Sequence, residues 1–182
     1  NQERYIKDCL ESILKQANIA DIEVVVVDDG SLDNSYSICK EIAKKDVRIK
    51  IIQQQNKGLS GARKAGLDNC STQYITFVDA DDYVSKDYIY NLIQQYETKD
   101  IQLATSGYYQ TDGENVFGER AFEYYGNMRK IPDEYYILGD CHTIWGKLYI
   151  KEIINLHNIR FKKINISEDS FFNLEYSQFV TN

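Results

Sequence analysis

Ile22-Glu23-Val24-Val25-Val26-Val27, running straight into Asp28-Asp29-Gly30-Ser31, is the stretch that decides the architecture. A β-branched run with almost no polar alternation reads as a strand covered on both faces, as in a parallel sheet. It ends in a turn, so the strand delivers two carboxylates at its tip. Before it, Tyr5, Ile6, Cys9, Leu10, Ile13, Leu14 and Ala17 recur at helical spacing and predict an amphipathic helix of roughly four turns. After it, Tyr36, Cys39, Ile42 and Ala43 mark a second helix, capped by Ser31 or Asp33. Arg48 to Ile52 is a second strand. Leu59, Ala62, Gly66 and Leu67 space a third helix entered through Asn56-Lys57-Gly58, and Tyr74 to Val78 is a third strand that runs into Asp79. Alternation with short connections implies right-handed crossovers and an α/β fold, a mostly parallel sheet flanked by helices on both faces. Ligands of such sheets gather at the carboxyl ends of the strands, where Asp28-Asp29 and Asp79 to Asp82 both fall.

Beyond this, a fourth helix is expected over about Lys86 to Glu97 and a strand over Ile101 to Tyr109. The stretch Thr111 to Tyr136, with the only proline at Pro132, reads as strand edges, loops and a short helix. The pattern firms again through Trp145, Leu148, Tyr149, Ile153 and Ile154. A chain of 182 residues is expected to form a single domain, 1–182, around one core. With 43% apolar and 27% charged residues it has the composition of an ordered globular protein. A net charge of -7 argues against a nucleic-acid surface, which needs a basic patch, yet a bound divalent cation can make a carboxylate pocket accept an anionic ligand. Cys9, Cys39, Cys70 and Cys141 form no C-x-x-C pair, which points away from zinc and disulfide frameworks and toward a reduced, cytoplasmic setting. No apolar run suits a membrane span and no signal peptide opens the chain. Opening on Asn1 and running on through Phe179 to Asn182, it reads as a piece of something longer.

Asp79-Ala80-Asp81-Asp82 cannot continue into a core, because unpaired buried carboxylates are costly. Two carboxylates separated by one small residue can face a single ligand, and such hard oxygen donors suit Mg2+ or Mn2+ shared with phosphate oxygens. The plainer reading is an acidic turn that caps the next helix. Gly58, Ser60 and Gly61 lie where a helix begins, so backbone N–H groups can approach a phosphate, with Lys57 and Arg63 adding positive charge; glycines there also permit close packing. Ser167-Glu168-Asp169-Ser170 reads as a helix start with Ser167 as cap. Trp145 and the tyrosines either stack on a sugar or fill the core. His142 and His157 make no metal spacing and are read as structural, although His142 could lie near the cleft.

In order and spacing, Val25-Val26-Val27-Asp28-Asp29-Gly30-Ser31, Asn56-Lys57-Gly58-Leu59-Ser60-Gly61-Ala62-Arg63, Phe77-Val78-Asp79-Ala80-Asp81-Asp82, Trp145-Gly146-Lys147-Leu148-Tyr149 and Ser167-Glu168-Asp169-Ser170-Phe171-Phe172 resemble glycosyltransferase family 2, enzymes of the GT-A fold. The resemblance covers nearly the whole chain. It implies that the family's first strand is missing before Asn1-Gln2-Glu3-Arg4-Tyr5, as is a C-terminal continuation. It implies nucleotide-binding roles for Asp28, Asp29, Arg63, Lys57 and Asp79. Asp81 becomes the metal ligand, with Asp79 shared between ribose and Mn2+ or Mg2+, and Asp82 supports them. Asp169 becomes the general base of an inverting transfer, since an acceptor hydroxyl is a poor nucleophile until a carboxylate takes its proton. The implied partners are a nucleotide-sugar donor, UDP-linked by family habit, and a glycan or glycolipid acceptor at the inner face of a cell membrane. Any membrane attachment is expected outside this chain. A sugar-nucleotide nucleotidyltransferase and a non-catalytic sugar-binding domain are the alternatives. The first lacks its Gly-rich basic loop here, and the second is opposed by the joint presence of Asp79, Asp81 and Asp169.

Overall fold

In the computed structural model, which describes residues 1–18, 21–99, 101–112, 115–120, 142–163 and 167–180, the valine run forms β1 (Val24–Asp28). It pairs in parallel with β2 (Ile49–Gln53), Val24 opposite Ile49 and Asp28 opposite Gln53. The crossover is α2 (Ser35–Ala43), with α1 (Ile6–Leu14) beside it. Ile6, Leu10, Val24, Cys39 and Ile49 bury one another between these elements. Helix α1 stops short of Ala17, whose N–H turns to the Lys86 carbonyl (2.7 Å) instead of extending the helix. Of the two residues read as caps for α2, Asp33 accepts the Ser35 N–H (3.0 Å), whereas the Ser31 N–H goes to Asp28 (3.3 Å).

Helix α3 (Gly58–Asn69) packs back on β1, and β3 (Tyr74–Thr76) follows. Strand β3 ends before the predicted Val78: Phe77 leaves the ladder to set its ring against Tyr149, Phe161 and Phe172. The chain continues through α4 (Tyr88–Lys99), β4 (Leu103–Thr105) and the hairpin of β5 (Tyr108–Thr111) and β6 (Val116–Arg120). It closes with β7 (Lys147–Ile150), α5 (Lys151–Leu156) and α6 (Glu168–Ser177). The fold is α/β as expected, with the parallel pairing at β1 and β2. Strand β7 runs antiparallel between β3 and β4, Ile75 and Leu103 both opposite Tyr149. The strand expected over Ile101 to Tyr109 is divided at Ser106-Gly107, where the Ser106 N–H bonds to the Gly146 carbonyl (2.8 Å), so its halves serve different sheets. Thr111 to Tyr136 contributes β6; Pro132, like Cys141, lies outside the described residues. Strands β1 and β3 belong to separate ladders among the described residues, and a groove of about 380 Å3 lined by Val25, Leu67, Ile75, Ile89 and Ile93 lies between them.

Where one core was expected, the buried apolar side chains form three clusters among the described residues. The largest lies beneath α6 and takes up part of the tyrosine excess. Tyr149 and Tyr176 are fully buried with rings edge-on at 5.0 Å. Their hydroxyls are satisfied: Tyr149 donates to Asn173 Oδ1 (2.6 Å), and Tyr176 donates to the Gln102 carbonyl (2.8 Å) and accepts the Ile150 N–H (2.8 Å). Phe172 stacks on Phe161 at 4.4 Å and meets Tyr149 edge-on at 5.5 Å. Phe172→Ala removes the aromatic anchor of α6 and is expected to lower unfolding free energy by about 3–5 kcal/mol in urea titrations. A loss below about 1 kcal/mol, well under that range, would show that α6 is held elsewhere.

Candidate active site

Strand β1 ends on Asp28, which is buried and accepts the Ser31 N–H and, at 3.4 Å, the Gln53 side-chain amide. Asp29 faces the other way. Its carboxylate accepts the Lys57 backbone N–H at 2.9 and 3.1 Å and the Gln54 amide at 2.7 Å, tying the turn after β1 to the entry of α3. Gly30 permits this approach: its φ is +77°, and a Cβ there would lie 3.1 Å from the Asn56 nitrogen. The entry of α3 is not an open phosphate cradle. The Gly58 N–H is taken by the Asn56 side chain (3.1 Å), and the space a Cβ at Gly61 would need is filled by the Lys57 side chain.

After β3, the Asp82 N–H closes a turn onto the Asp79 carbonyl (3.0 Å), which also accepts the buried Cys9 thiol (3.5 Å). Burial, and then the neighbouring Asp82, Asp81 and Asp79, push that thiol up to about 12, so it stays protonated. Asp81 is exposed and accepts the Gln2 amide (3.2 Å). The Asp82 carboxyl is raised by desolvation and then by Asp79 and Asp81.

Helix α6 brings the third group. Ser167 sits in the left-handed region (φ 68°) and makes no side-chain cap bond, so the expected cap is absent. Asp169 instead reaches back, one oxygen accepting the Ile144 N–H (3.2 Å) and the other bound by Arg63. Arg63, with 7% of its side chain exposed, joins everything: Nη1 donates to Asp169 and to Glu168 (3.2 Å), and Nη2 to Asp79 (3.3 Å). The structure thus gathers Asp79, Asp169 and Arg63, with Asp81 on the same turn as Asp79, while Asp28, Asp29 and Lys57 form a second group locked into loop geometry. Sequence reasoning gave Glu168 no role of its own, although it is half of the acidic pair Glu168-Asp169 on which the family resemblance rests. His142, read as structural, is exposed and hydrogen-bonded through Nδ1 to Ser170 Oγ (2.7 Å), next to Asp169 in sequence. His157 stacks on Phe179. Trp145 is half-buried, edge-on to Tyr108 at 5.0 Å, rather than a member of a buried cluster among the described residues.

The family model described as Glycosyl transferase family 2 matches residues 1–156. The chain belongs to that family. It is 36% identical over 184 residues to Glycosyltransferase GlyA of Streptococcus pneumoniae serotype 4 (strain ATCC BAA-334 / TIGR4), covering 95% of this chain and 26% of the relative. In structure it is similar to S. aureus TarS 1-349 in complex with UDP (TM-score 0.82, 22% identity, 99% of this chain and 53% of that one). It is also similar to the mannosyltransferase PcManGT from Pyrobaculum calidifontis in complex with GDP-Man and Mn2+ (TM-score 0.66, 17% identity, 94% and 48%). These neighbours show the GT-A fold. The chain spans about a quarter of GlyA and about half of the TarS chain, and α6 with Asp169 lies beyond the family-matched residues.

The family raises the question of a metal, and the donor set can be tested on geometry. Among the described residues no three His, Cys, Asp or Glu side chains are arranged to hold an ion by themselves. Asp79 and Asp81 share the turn after β3, and Asp81 is exposed, so the pair offers hard oxygen donors of the kind that suit Mg2+ completed by phosphate oxygens.

Asp169 itself is held above the ordinary aspartate range by burial, which outweighs the lowering by Arg63; Glu168 adds to the rise. An acid that binds its proton more tightly folded than unfolded loses stability as it ionises. The cost is absent below the unfolded value, grows as pH rises toward the raised folded value, and is complete above it. Asp169→Asn is therefore expected to melt higher than wild type at pH 7, with the difference vanishing near pH 3. A variant less stable than wild type at pH 7 would mean that pairing with Arg63 outweighs burial.

Proposed function

We infer that this chain carries the catalytic domain of an inverting glycosyltransferase that moves a sugar from a UDP-sugar to a hydroxyl of a glycan or glycolipid. The observation that carries this reading is the convergence of Asp79, on the turn after β3, and Asp169, at the start of α6, on one buried guanidinium. It joins a carboxylate turn suited to a diphosphate with a desolvated carboxylate suited to taking a proton. Family membership supports it, as do the solved complexes of S. aureus TarS 1-349 with UDP and with UDP-GlcNAc.

Asp169 accepts the proton of the acceptor hydroxyl while that oxygen bonds to the anomeric carbon. The bond from that carbon to the diphosphate oxygen breaks with its electron pair going to the leaving nucleotide. Attack from the face opposite the leaving group inverts the centre. The backbone N–H of Ile144 is one of the two donors that orient the base. Asp79 and Asp81 would hold the divalent cation, Mn2+ or Mg2+, whose charge favours departure of the diphosphate; the Mn2+ complex of PcManGT supports this. The nucleoside lies along Asp28, Asp29 and Lys57. The acceptor side is formed near His142 and Trp145, on the cytoplasmic face of a membrane. Among the described residues no helix is long and apolar enough to cross one.

Calorimetric titration of UDP should show binding with Mn2+ that is lost on chelation and in Asp81→Ala. Asp169→Asn should keep that binding while UDP release from UDP-GlcNAc falls by about 10²–10⁴-fold, the range for a positioned base. Retention of turnover in Asp169→Asn would remove Asp169 from the mechanism, and absence of UDP binding to wild type would remove the donor assignment.

A further inference from the structure

Arg63 was expected at the nucleotide because basic residues near a helix entry suit phosphate. Its geometry favours another role. It emerges from the second turn of α3, past the exposed entry that Lys57 covers, and its side chain is 7% exposed. Both terminal nitrogens are engaged by carboxylates from elements far apart in sequence. A phosphate would have to displace carboxylates already paired with it, at the cost of leaving their charges in a partly desolvated place.

The three contacts are not equivalent. Asp79 is the most exposed partner (36%, against 15% for Glu168 and 13% for Asp169). Its position is also fixed independently, through a carbonyl that receives the Cys9 thiol and the Asp82 N–H. At Asp169 the helix start lacks a side-chain cap, because Ser167 is left-handed and makes no cap bond. Its carboxylate is oriented by two donors, the Ile144 N–H on one oxygen and Arg63 on the other. Removing the guanidinium leaves one donor, and a carboxylate held by one donor can turn about its χ angles. Catalysis through a base depends steeply on its placement.

We propose that Arg63 is a positioning residue for the proton acceptor Asp169, acting on transfer through that carboxylate and not by contact with the nucleotide. This rests on the glycosyltransferase reading above and deepens it. The forked guanidinium serves because it presents two nitrogens in one plane, one toward α6 and one toward the turn after β3, which a lysine cannot reproduce.

A double-mutant cycle tests it, with UDP and Mn2+ as the binding probe and UDP release from UDP-GlcNAc as turnover. Arg63→Gln should leave UDP affinity within about threefold and lower kcat by about tenfold or more, the pattern of a group acting only in the transition state. Arg63→Lys should recover part of kcat. In the Asp169→Asn background Arg63→Gln should change kcat by less than about threefold, since a residue acting through another has nothing left to act on. If Arg63→Gln fails to fold by circular dichroism, Arg63→Lys carries the cycle alone, with the same expected split. The proposal is overturned if UDP affinity falls about tenfold while kcat holds, which puts the guanidinium on the nucleotide. It is equally overturned if the two losses multiply. Wild-type protein that neither binds UDP nor releases it defeats the glycosyltransferase reading first, visibly in the unmutated chain, and this proposal with it.

Discussion

One guanidinium joins two parts of the chain more than a hundred residues apart. Arg63 on α3 meets Glu168 and Asp169 on α6 and Asp79 after β3. A cation this deeply buried persists only when paired, and carboxylates this desolvated only when something positive or a donor N–H faces them. Each therefore depends on the other. The aromatic cluster of Phe161, Phe172, Tyr149 and Tyr176 beneath α6 fixes where that helix lies, and the ion cluster fixes how its first turn is oriented. Apolar packing provides the bulk of the attachment and electrostatics its register.

The carboxylates after β1 obey a different economy. Asp29 is a ligand within the protein, gripping the Lys57 N–H and the Gln54 amide, and Asp28 is buried against Ser31 and Gln53. Anything that engages these groups exchanges one hydrogen bond for another instead of adding one, so their net contribution to binding is small even where their contribution to shape is large. Selectivity at such a place comes from which partner satisfies the loop's donors and acceptors.

The elements that the sequence reveals are those governed by local pattern. The unbroken valine run identifies β1, the apolar spacing of Ile6, Cys9 and Leu10 identifies α1, and carboxylates at strand ends identify the turns of the site. What escaped depends on partners distant in sequence. Nothing near Lys147 indicates that β7 inserts antiparallel between β3 and β4, because that register is set by Tyr149 packing over Ile75 and by the Gly146 carbonyl meeting Ser106. Arg63 was recognised as a site residue, yet its direction is decided by α6, a hundred positions later. The cap at Ser167 failed for a related reason: the helix start gives up a local hydroxyl bond while Asp169 turns toward Ile144. A serine before two acids looks the same in sequence whichever arrangement prevails.

The groove between β1 and β3 shows where backbone pairing capacity lies among the described residues. Each strand is hydrogen-bonded along one edge among the described residues, to β2 and to β7, and presents its other edge toward a channel lined by Val25 and Ile75. A strand edge left open among the described residues carries backbone donors and acceptors that an extended segment laid beside it can meet.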